Sequence, residues 1–441
     1  MIYCKWPMKI NKVVNACHNK AMLYTLLFQS SIRNWETTLM NTMFRKICTI
    51  SLLTASFLVA PFANAWVKDE LVIWTKPDDF GNDGFKKLAQ RFEKETGIKV
   101  TVVVPENKED DQATRDYNRQ VVLKRGPDIF LRTHDRVGEL AQAGLIAQVK
   151  PSQSTLNSVN SNYWNAVSYD GKLYGYPIAV EGVTQICNAD LVAKPYETLA
   201  AVEQDIPRLR KLGKKPLIWD YMNNYFSYGF VTSEGGFTFQ FSNGSYNPAV
   251  TGANNRGAIT GVTAIKRLLD KNLLPKKVDY GVVDNAFKQG QVACIVNGPW
   301  SWGDYEKAGI DLLIGNLPKV KSGTPKVFIG VLSAMLNPSS PNQVLASQFI
   351  EQYFTQPSGL KLINDDKDMG AVANKTFMKQ LAKGNKKLAA ASQVWDNGEP
   401  MPNIPKMSRY WTHMDTALYE VMVKDQSVAK SLNAAASRIT R

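Results

Sequence analysis

The sequence has 441 residues, with 53 Lys and Arg against 39 Asp and Glu, a formal net charge of +14. Apolar residues make up 44% of the chain and charged residues 21%, which excludes a disordered or collagen-like protein and indicates two or three folded units. A single apolar segment could interact with a bilayer, so a polytopic membrane protein is excluded as well.

That segment, within residues 43–65, is predicted to be a secretory signal peptide. Its 14 uncharged residues, 47–60, follow two basic residues and precede the small-residue pattern Ala63-Asn64-Ala65. Such a stretch is too short to cross a bilayer as a helix. We expect cleavage after Ala65, a periplasmic location and no lipid anchor. Residues 1–42 are interpreted as the product of a start codon assigned too far upstream, with a functional extension as the alternative.

Removal of the first 65 residues takes away seven basic residues and one acidic residue, leaving a net charge of about +8. The remaining charges form no basic run, which argues against nucleic-acid binding. Only His134 and His413 remain, without a Cys/His cluster, so neither a metal site nor a cofactor is predicted. Cys187 and Cys294 lie in strand-like runs. Buried free thiols are favoured for them over a disulfide, because the sequence alone cannot bring their Cα atoms together.

The remaining chain begins with a β-α-β pattern. A strand at 70–74 is followed by a helix with Phe85, Leu88, Ala89 and Phe92 on one face, and then by a strand at 98–104. This pattern indicates a parallel sheet with crossover helices. Another buried strand within 126–136 carries polar residues at its C-terminal end, which is where open α/β sheets bind ligands.

Further elements follow without a repeat or a low-complexity linker. The pattern predicts helices at 137–143, 256–271, 284–289, 341–354, 411–423 and 426–438, strands at 292–297 and 328–336, and a hairpin turn at 169–172. A pair of lobes in such a chain would be joined by several crossings rather than by one tether.

Ordered motifs over about Lys68 to Arg441 resemble the periplasmic maltose/maltodextrin-binding proteins, the receptors of ABC sugar importers. The motifs are DELVIW, FEKETGIKV, GPDI, HDR, GLIA, YPIAVE, AFKQGQVACIVNGPW, FIGVLSA, MGAVA and MPNIPKMS. The resemblance implies an α/β, two-lobed periplasmic binding protein fold of type II, with three hinge crossings. It implies a first lobe of 67–179 and 334–379, a second of 184–329 and 386–441, and hinges near 180–183, 329–333 and 380–385.

The resemblance also implies a set of sugar-binding residues. A sugar offers apolar C–H faces and a rim of hydroxyls, so its site needs aromatic surfaces and fixed polar groups. By position, the stacking residues are Tyr225, Phe226, Trp300 and Trp411, and the hydroxyl-binding residues are Asp78, Asp135, Arg136 and Glu181. Read without the resemblance, Trp300 would belong to the core and Asp135-Arg136 would be a local ion pair or a helix cap. His134 is interpreted as structural.

Several positions depart from the family pattern. Arg132 stands where a stacking Trp is usual, Asn223-Asn224 replaces Glu-Pro, and Asp415 replaces an Arg. Arg132 could stack or pair with Asp79, Asn223 could accept a hydroxyl, and Met401 could pack against a sub-site. These substitutions favour a maltodextrin site that is retained but retuned.

The function that this resemblance implies is the capture of maltose or maltodextrins by hinge closure and their delivery to the membrane subunits of an ABC importer. A chemoreceptor is a further partner that it allows, and a monomer is expected. A receptor retuned for another oligosaccharide is the alternative. A secreted glycoside hydrolase is a distant one, because it needs two carboxylates flanking the scissile bond, with Asp78, Asp135 and Glu181 as the candidates. The chain is predicted not to be an enzyme.

Overall fold

A computed structural model of the protein describes residues 69–75, 83–104, 110–242, 244–272, 274–275 and 278–441. The predicted signal peptide, the segment before it, Asp78 and Asp79 lie outside the described residues.

The strands of the described chain are, in order, Leu71–Trp74 (β1), Val100–Val103 (β2), Ile129–Thr133 (β3), Ser168–Tyr169 (β4), Lys172–Leu173 (β5), Tyr176–Glu181 (β6), Thr184–Asn188 (β7), Lys215–Ile218 (β8), Gln240–Ser242 (β9), Ser245–Asn247 (β10), Val292–Asn297 (β11), Leu312–Gly315 (β12), Phe328–Leu336 (β13), Ala371–Val372 (β14) and Glu399–Pro400 (β15).

The α-helices of the same residues are Asp83–Thr96 (α1), Asp110–Val122 (α2), Val137–Gln142 (α3), Gln153–Ser158 (α4), Ser161–Ala166 (α5), Leu199–Lys211 (α6), Asn224–Thr232 (α7), Arg256–Asp270 (α8), Tyr280–Lys288 (α9), Trp302–Lys307 (α10), Gln343–Phe349 (α11), Pro357–Asn364 (α12), Lys375–Ala382 (α13), Lys386–Trp395 (α14), Met407–Met422 (α15) and Val428–Thr440 (α16). Short 3₁₀ turns occupy His134–Arg136 and Pro299–Ser301, and a π-helical turn occupies Ile350–Phe354.

The larger sheet has the strand order β14-β6-β13-β3-β1-β2. Strand β15 also pairs with β13, at the N-terminal residues Phe328 and Ile329. Strand β1 is parallel to β2 and to β3, as the β-α-β pattern predicts, whereas β13 is antiparallel to β3 and β6. One face of this sheet packs against α1 and α11–α12 through residues such as Phe85 and Phe349. The other face packs against α2, where the ring of Tyr117 stacks on Phe130 at a centroid distance of 4.2 Å.

The smaller sheet has the order β12-β7-β11-β8. Strand β11 is parallel to β8 and antiparallel to β7, and all six of its residues are buried. A strand covered on both faces carries an uninterrupted apolar run, which explains VACIVN. Because β8 and β11 are parallel neighbours, their carboxyl ends meet at the same edge of the sheet.

Each of the two larger sheets has its own hydrophobic core, and the described chain passes from one core to the other in segments that include the following three. Ile178 of β6 belongs to the core of the larger sheet, whereas Val183 belongs to that of the smaller sheet. The core of the larger sheet is called the first core and that of the smaller sheet the second core. Within β13, Ile329 packs in the second core and Leu332 in the first. Helix α13 packs in the first core, and α14–α16 pack in the second.

The strongly patterned elements agree with the sequence-based predictions. Strand β13 has the predicted bounds, and α1, α8, β11, α15 and α16 lie within a few residues of theirs. The predicted helix at 341–354 is instead α11 followed by the π-helical turn. Helices α2, α4–α7, α10 and α12–α14 were not predicted. The polar residues of α2 hide its short apolar face, and α7 is buried over nearly its whole length, so neither shows a clear helical period.

Cys187 and Cys294 form a disulfide, so the preference for free thiols is wrong. The two residues lie directly opposite each other in the antiparallel register of β7 and β11, and both are fully buried. Their pairing depends on the alignment of strands that are separated by 107 residues in the chain, which no local pattern encodes.

We predict that the double substitution Cys187→Ala/Cys294→Ala lowers the free energy of unfolding by about 2 to 5 kcal/mol, because the unfolded chain loses a cross-link that closes a long loop. Urea unfolding with and without dithiothreitol measures this. Reductant should lower the midpoint of the wild type and leave that of the variant unchanged. Two free thiols titrated in the unreduced, denatured wild-type chain that begins at Trp66 would contradict the assignment, because Cys187 and Cys294 are its only cysteines.

Candidate functional site

Asp135 and Arg136 lie in the 3₁₀ turn at the carboxyl end of β3, where the sequence predicted ligand-binding residues. Both side chains are buried, with relative exposures of 6% and 7%. Asp135 Oδ2 is 3.6 Å from Arg136 Nε, and Arg136 Nη1 is 3.1 Å from Glu139 Oε2 on α3. Asp135 and Arg136 thus form a local ion pair, as the alternative reading has it, but the pair is buried rather than solvated.

Trp411 reaches the same turn from helix α15 of the second core. Its indole Nε1–H donates a hydrogen bond to Asp135 Oδ2 at 3.0 Å. This bond joins the predicted hydroxyl-binding carboxylate to a predicted stacking ring. It also holds the orientation of the ring relative to the end of β3, because an indole has a single donor.

The predicted stacking residues come together in one aromatic cluster. Tyr225 is central, with ring centroids 6.3 Å from Trp300, 6.5 Å from Trp411 and 5.4 Å from Phe226. Tyr225 follows β8 and Trp300 follows β11, so the parallel pairing of these strands places both rings at one sheet edge. Trp300 and Trp411 are only partly buried, unlike the core residue that Trp300 would be in the alternative reading.

The start of α7, which carries Tyr225, is fixed by two acceptors. Asn223 Oδ1 accepts a hydrogen bond from the backbone N–H of Tyr225 at 3.0 Å, and Asp415 Oδ1 accepts one from Asn224 N–H at 2.8 Å. Both positions depart from the family pattern, and both residues cap the helix. Asn223 thus has a structural role that its predicted role as a hydroxyl acceptor did not include.

Glu181 and Met401 converge at Gly330, the third residue of β13. Glu181 pairs with Gly330 across the β6–β13 ladder. A Cβ atom at position 330 would lie 3.3 Å from Glu181 Cγ, 3.2 Å from Met401 Cε and 3.2 Å from Thr133 Cγ2. A side chain at position 330 would force these three neighbours to move by a few tenths of an ångström. Glu181 and Thr133, the residue before the turn that carries Asp135, therefore both lie against Gly330.

The remaining predicted residues are buried and contribute less directly to the candidate site. Arg132 is buried on β3 opposite Ser333, whose hydroxyl donates to its carbonyl oxygen at 2.8 Å. Phe226 is buried among Tyr225 and Tyr280, so it packs beneath the cluster, and its stacking on a sugar stays a prediction. Met401 is buried as well.

Further rings that were not predicted join the cluster, among them Tyr280 and Phe328. The hydroxyl of Tyr280, at the start of α9, accepts a hydrogen bond from Trp300 Nε1 at 3.1 Å. Phe328, the first residue of β13, lies 5.0 Å from the Trp411 ring and stacks parallel to Tyr225 at 6.4 Å. The sequence contained a signal that could have identified Phe328, because this residue begins the FIGVLSA motif. Nothing local distinguishes Tyr280 from other tyrosines.

His134 is the fully buried first residue of the turn. Its Nδ1 accepts a hydrogen bond from Val331 N–H at 2.9 Å, and its Nε2 lies 2.8 Å from the carbonyl oxygen of Met401. Burial lowers the pKa of His134 below its usual 6.5, and the negative charge of Asp135 opposes this change. The imidazole is therefore neutral near pH 7.

We predict that His134 makes the folded protein sensitive to acid. Its pKa is lower in the folded chain than in the unfolded chain, so the unfolded chain binds more protons below pH 6.5 and stability falls with decreasing pH. The dependence of unfolding free energy on pH should be shallower in His134→Asn by up to about 1.4 kcal/mol per pH unit. His413, whose pKa is also lowered by partial burial and by Arg438 and Arg409, is kept in both proteins. Equal slopes for wild type and variant would contradict the prediction.

Within the described ranges, no cluster of three or more His, Cys, Asp or Glu side chains could hold a metal ion. In the same residues, no helix has the length and apolar character needed to cross a membrane.

The sequence pattern of the bacterial extracellular solute-binding proteins matches residues 87–368. The chain belongs to this family. The predicted two-lobed α/β fold and the predicted role as a solute-binding receptor are thereby confirmed.

Curated relatives cover most of the chain at modest identity. The galactooligosaccharide-binding protein of Bacillus subtilis is 28% identical over 83% of this chain and 88% of its own length. The maltodextrin-binding protein MdxE of the same organism is 24% identical over 88% of this chain and 96% of its own length. A maltotriose-binding protein of Pyrococcus abyssi is 26% identical over 68% of this chain and 66% of its own length. These relatives are named for binding rather than for catalysis, in agreement with the prediction that the chain is not an enzyme.

Proposed function

We propose that this solute-binding protein captures maltose or maltodextrins between its two lobes and delivers them unchanged to the membrane subunits of an ABC importer. The observation that carries the proposal is the meeting of a cluster of aromatic rings with the buried Asp135 and Arg136, through the hydrogen bond from Trp411 to Asp135. Rings that stack on C–H faces, together with polar groups held in fixed positions, are what a sugar requires.

The division of the chain between two cores supports the proposed hinges. We propose hinges near 180–183, 329–333 and 380–385, joining a lobe of 67–179 and 334–379 to one of 184–329 and 386–441. Each proposed hinge lies where the chain passes from one core to the other. Closure about such hinges would let a sugar select the closed state, which the importer could then distinguish from the open one.

The proposed ligand residues divide by chemistry. Tyr225, Trp300 and Trp411 would provide ring faces, with Phe226 beneath them. Asp135, Arg136 and Glu181 would bind hydroxyls, because a carboxylate accepts from two hydroxyls and a guanidinium donates in a fixed fork. Asp78 belongs to the proposed set, and Arg132, Asn223 and Met401 are proposed neighbours of the sugar.

A related oligosaccharide is the second candidate ligand. The name of the Bacillus subtilis relative at 28% identity favours galactooligosaccharides, whereas the names of the relatives at 24% and 26% favour α-glucans. The departures at Arg132, Asn223 and Asp415 support a site whose sugar preference differs from the family pattern.

The proposed receptor works outside the cytoplasm. We propose that residues 43–65 direct export and that cleavage after Ala65 releases the protein into the periplasm as a monomer. A chemoreceptor would be a further partner. Mass spectrometry of the exported protein tests the cleavage site, and light scattering tests the oligomeric state.

A sugar titration distinguishes the two candidate ligands. We expect maltotriose to change the intrinsic tryptophan fluorescence and to raise the melting temperature, because a ligand that binds only the folded state stabilises it. Maltose, longer α-glucans and galactooligosaccharides complete the panel. A response to galactooligosaccharides alone would replace the maltodextrin proposal with the second one, and no response to any sugar would remove both.

Trp300→Ala is expected to weaken sugar binding by about 1 to 3 kcal/mol, because the variant loses a stacking face. Trp300→Phe should recover part of the loss, since it keeps a ring but not the donor to Tyr280. Tyr419→Ala removes a 45% exposed ring elsewhere and is the matched control. Calorimetric titration measures all three, and unaltered affinity in Trp300→Ala would return Trp300 to a purely structural role.

A further inference from the structure

His134 contacts three separate parts of the chain with a single ring. It belongs to the 3₁₀ turn after β3, it accepts from Val331 N–H in the middle of β13, and it bonds to the Met401 carbonyl just after β15. The side chain has no exposure to solvent. Both ring nitrogens are thus used, each by the backbone of a different segment.

These two bonds determine the tautomer of the ring. A backbone N–H can only donate, so Nδ1 must be the unprotonated acceptor for Val331. Nε2 therefore carries the proton and donates it to the carbonyl oxygen of Met401. The imidazolium form would direct an N–H of its own at Val331 N–H, and the bond would be lost.

The ring is adjacent to residues that the proposed function assigns to the sugar. The turn has only three residues, so a ring that fixes its first residue restricts Asp135 and Arg136 directly. Asp135 in turn accepts the indole N–H of Trp411 at 3.0 Å. A displacement of His134 would therefore move both the Asp135 carboxylate and the Trp411 ring. Binding groups must be held within about 0.5 Å of their positions to remain effective.

We propose that His134 is a positioning residue of the ligand site, which holds the Asp135–Arg136 turn between β13 and the Met401 segment through its neutral Nε2–H tautomer. This inference rests on the proposed sugar-binding function. It gives the ring a role beyond filling the core, because the two bonds join segments that belong to both proposed lobes.

Two substitutions separate the two bonds. The side-chain oxygen of Asn is as many bonds from Cβ as Nδ1, so His134→Asn can still accept from Val331 but cannot reach Met401. The amide nitrogen of Gln corresponds to Nε2, so His134→Gln can still donate to Met401 and leaves Val331 without its acceptor. His413→Asn is the matched control, because His413 lies on α15, as Trp411 does.

The first measurement is sugar affinity by calorimetry on the exported protein, with maltotriose and a galactooligosaccharide as probes. We expect His134→Asn and His134→Gln each to bind about tenfold more weakly, the effect of one lost buried hydrogen bond. His413→Asn should bind as the wild type does. Wild-type affinity in both His134 variants, with a lowered melting temperature only, would overturn the proposal and leave His134 structural.

The second measurement needs no sugar. Long-range ¹H–¹⁵N spectra should show His134 as the Nε2–H tautomer, and the indole N–H signal of Trp411, assigned with Trp411→Phe, should move in both His134 variants but not in His413→Asn. If no sugar binds the wild type, the proposed function fails, and the positioning role is then decided by these signals. An Nδ1–H tautomer or an unmoved Trp411 signal would overturn it.

Discussion

Strand β13 takes part in both hydrophobic cores, and this constraint organises the rest of the molecule. Its nine residues are all buried, the first of them in the core of the smaller sheet and the later ones in the core of the larger sheet. A buried backbone must have hydrogen-bond partners along its length. Strands β3, β6 and β15 provide them, so the ends of these strands meet beside β13 and bring their polar residues with them.

The candidate site therefore lies where the packing changes from one core to the other. Gly330 leaves room there for Glu181 and Met401, and His134 joins the turn after β3 to the strand. Buried polar groups are tolerated at this place because each described bond satisfies a donor or an acceptor that would otherwise be costly to bury. The same bonds hold the carboxylate of Asp135 and the guanidinium of Arg136 in position.

The aromatic cluster is continuous with the second core. Phe328 and Phe226 are buried, whereas Tyr225, Trp300 and Trp411 lie above them and are partly exposed. Rings that rest on a packed core lose little freedom when a ligand stacks on them, which favours binding. The cost of this arrangement is that binding and stability share residues, so a substitution in the cluster must be measured for both.

The sequence by itself determined the elements with a strong apolar period, the parallel opening unit, and the motifs that mark the family. The resemblance that those motifs carry also implied most rings and acids of the candidate site, whereas residue type alone would have placed Trp300 in the core. The tertiary structure alone decided the disulfide between Cys187 and Cys294, the capping roles of Asn223 and Asp415, and the place of Tyr280 and His134. Local periodicity reports which face of an element is buried, but these contacts depend on how strands distant in the chain align, and that alignment is set by packing of the whole chain.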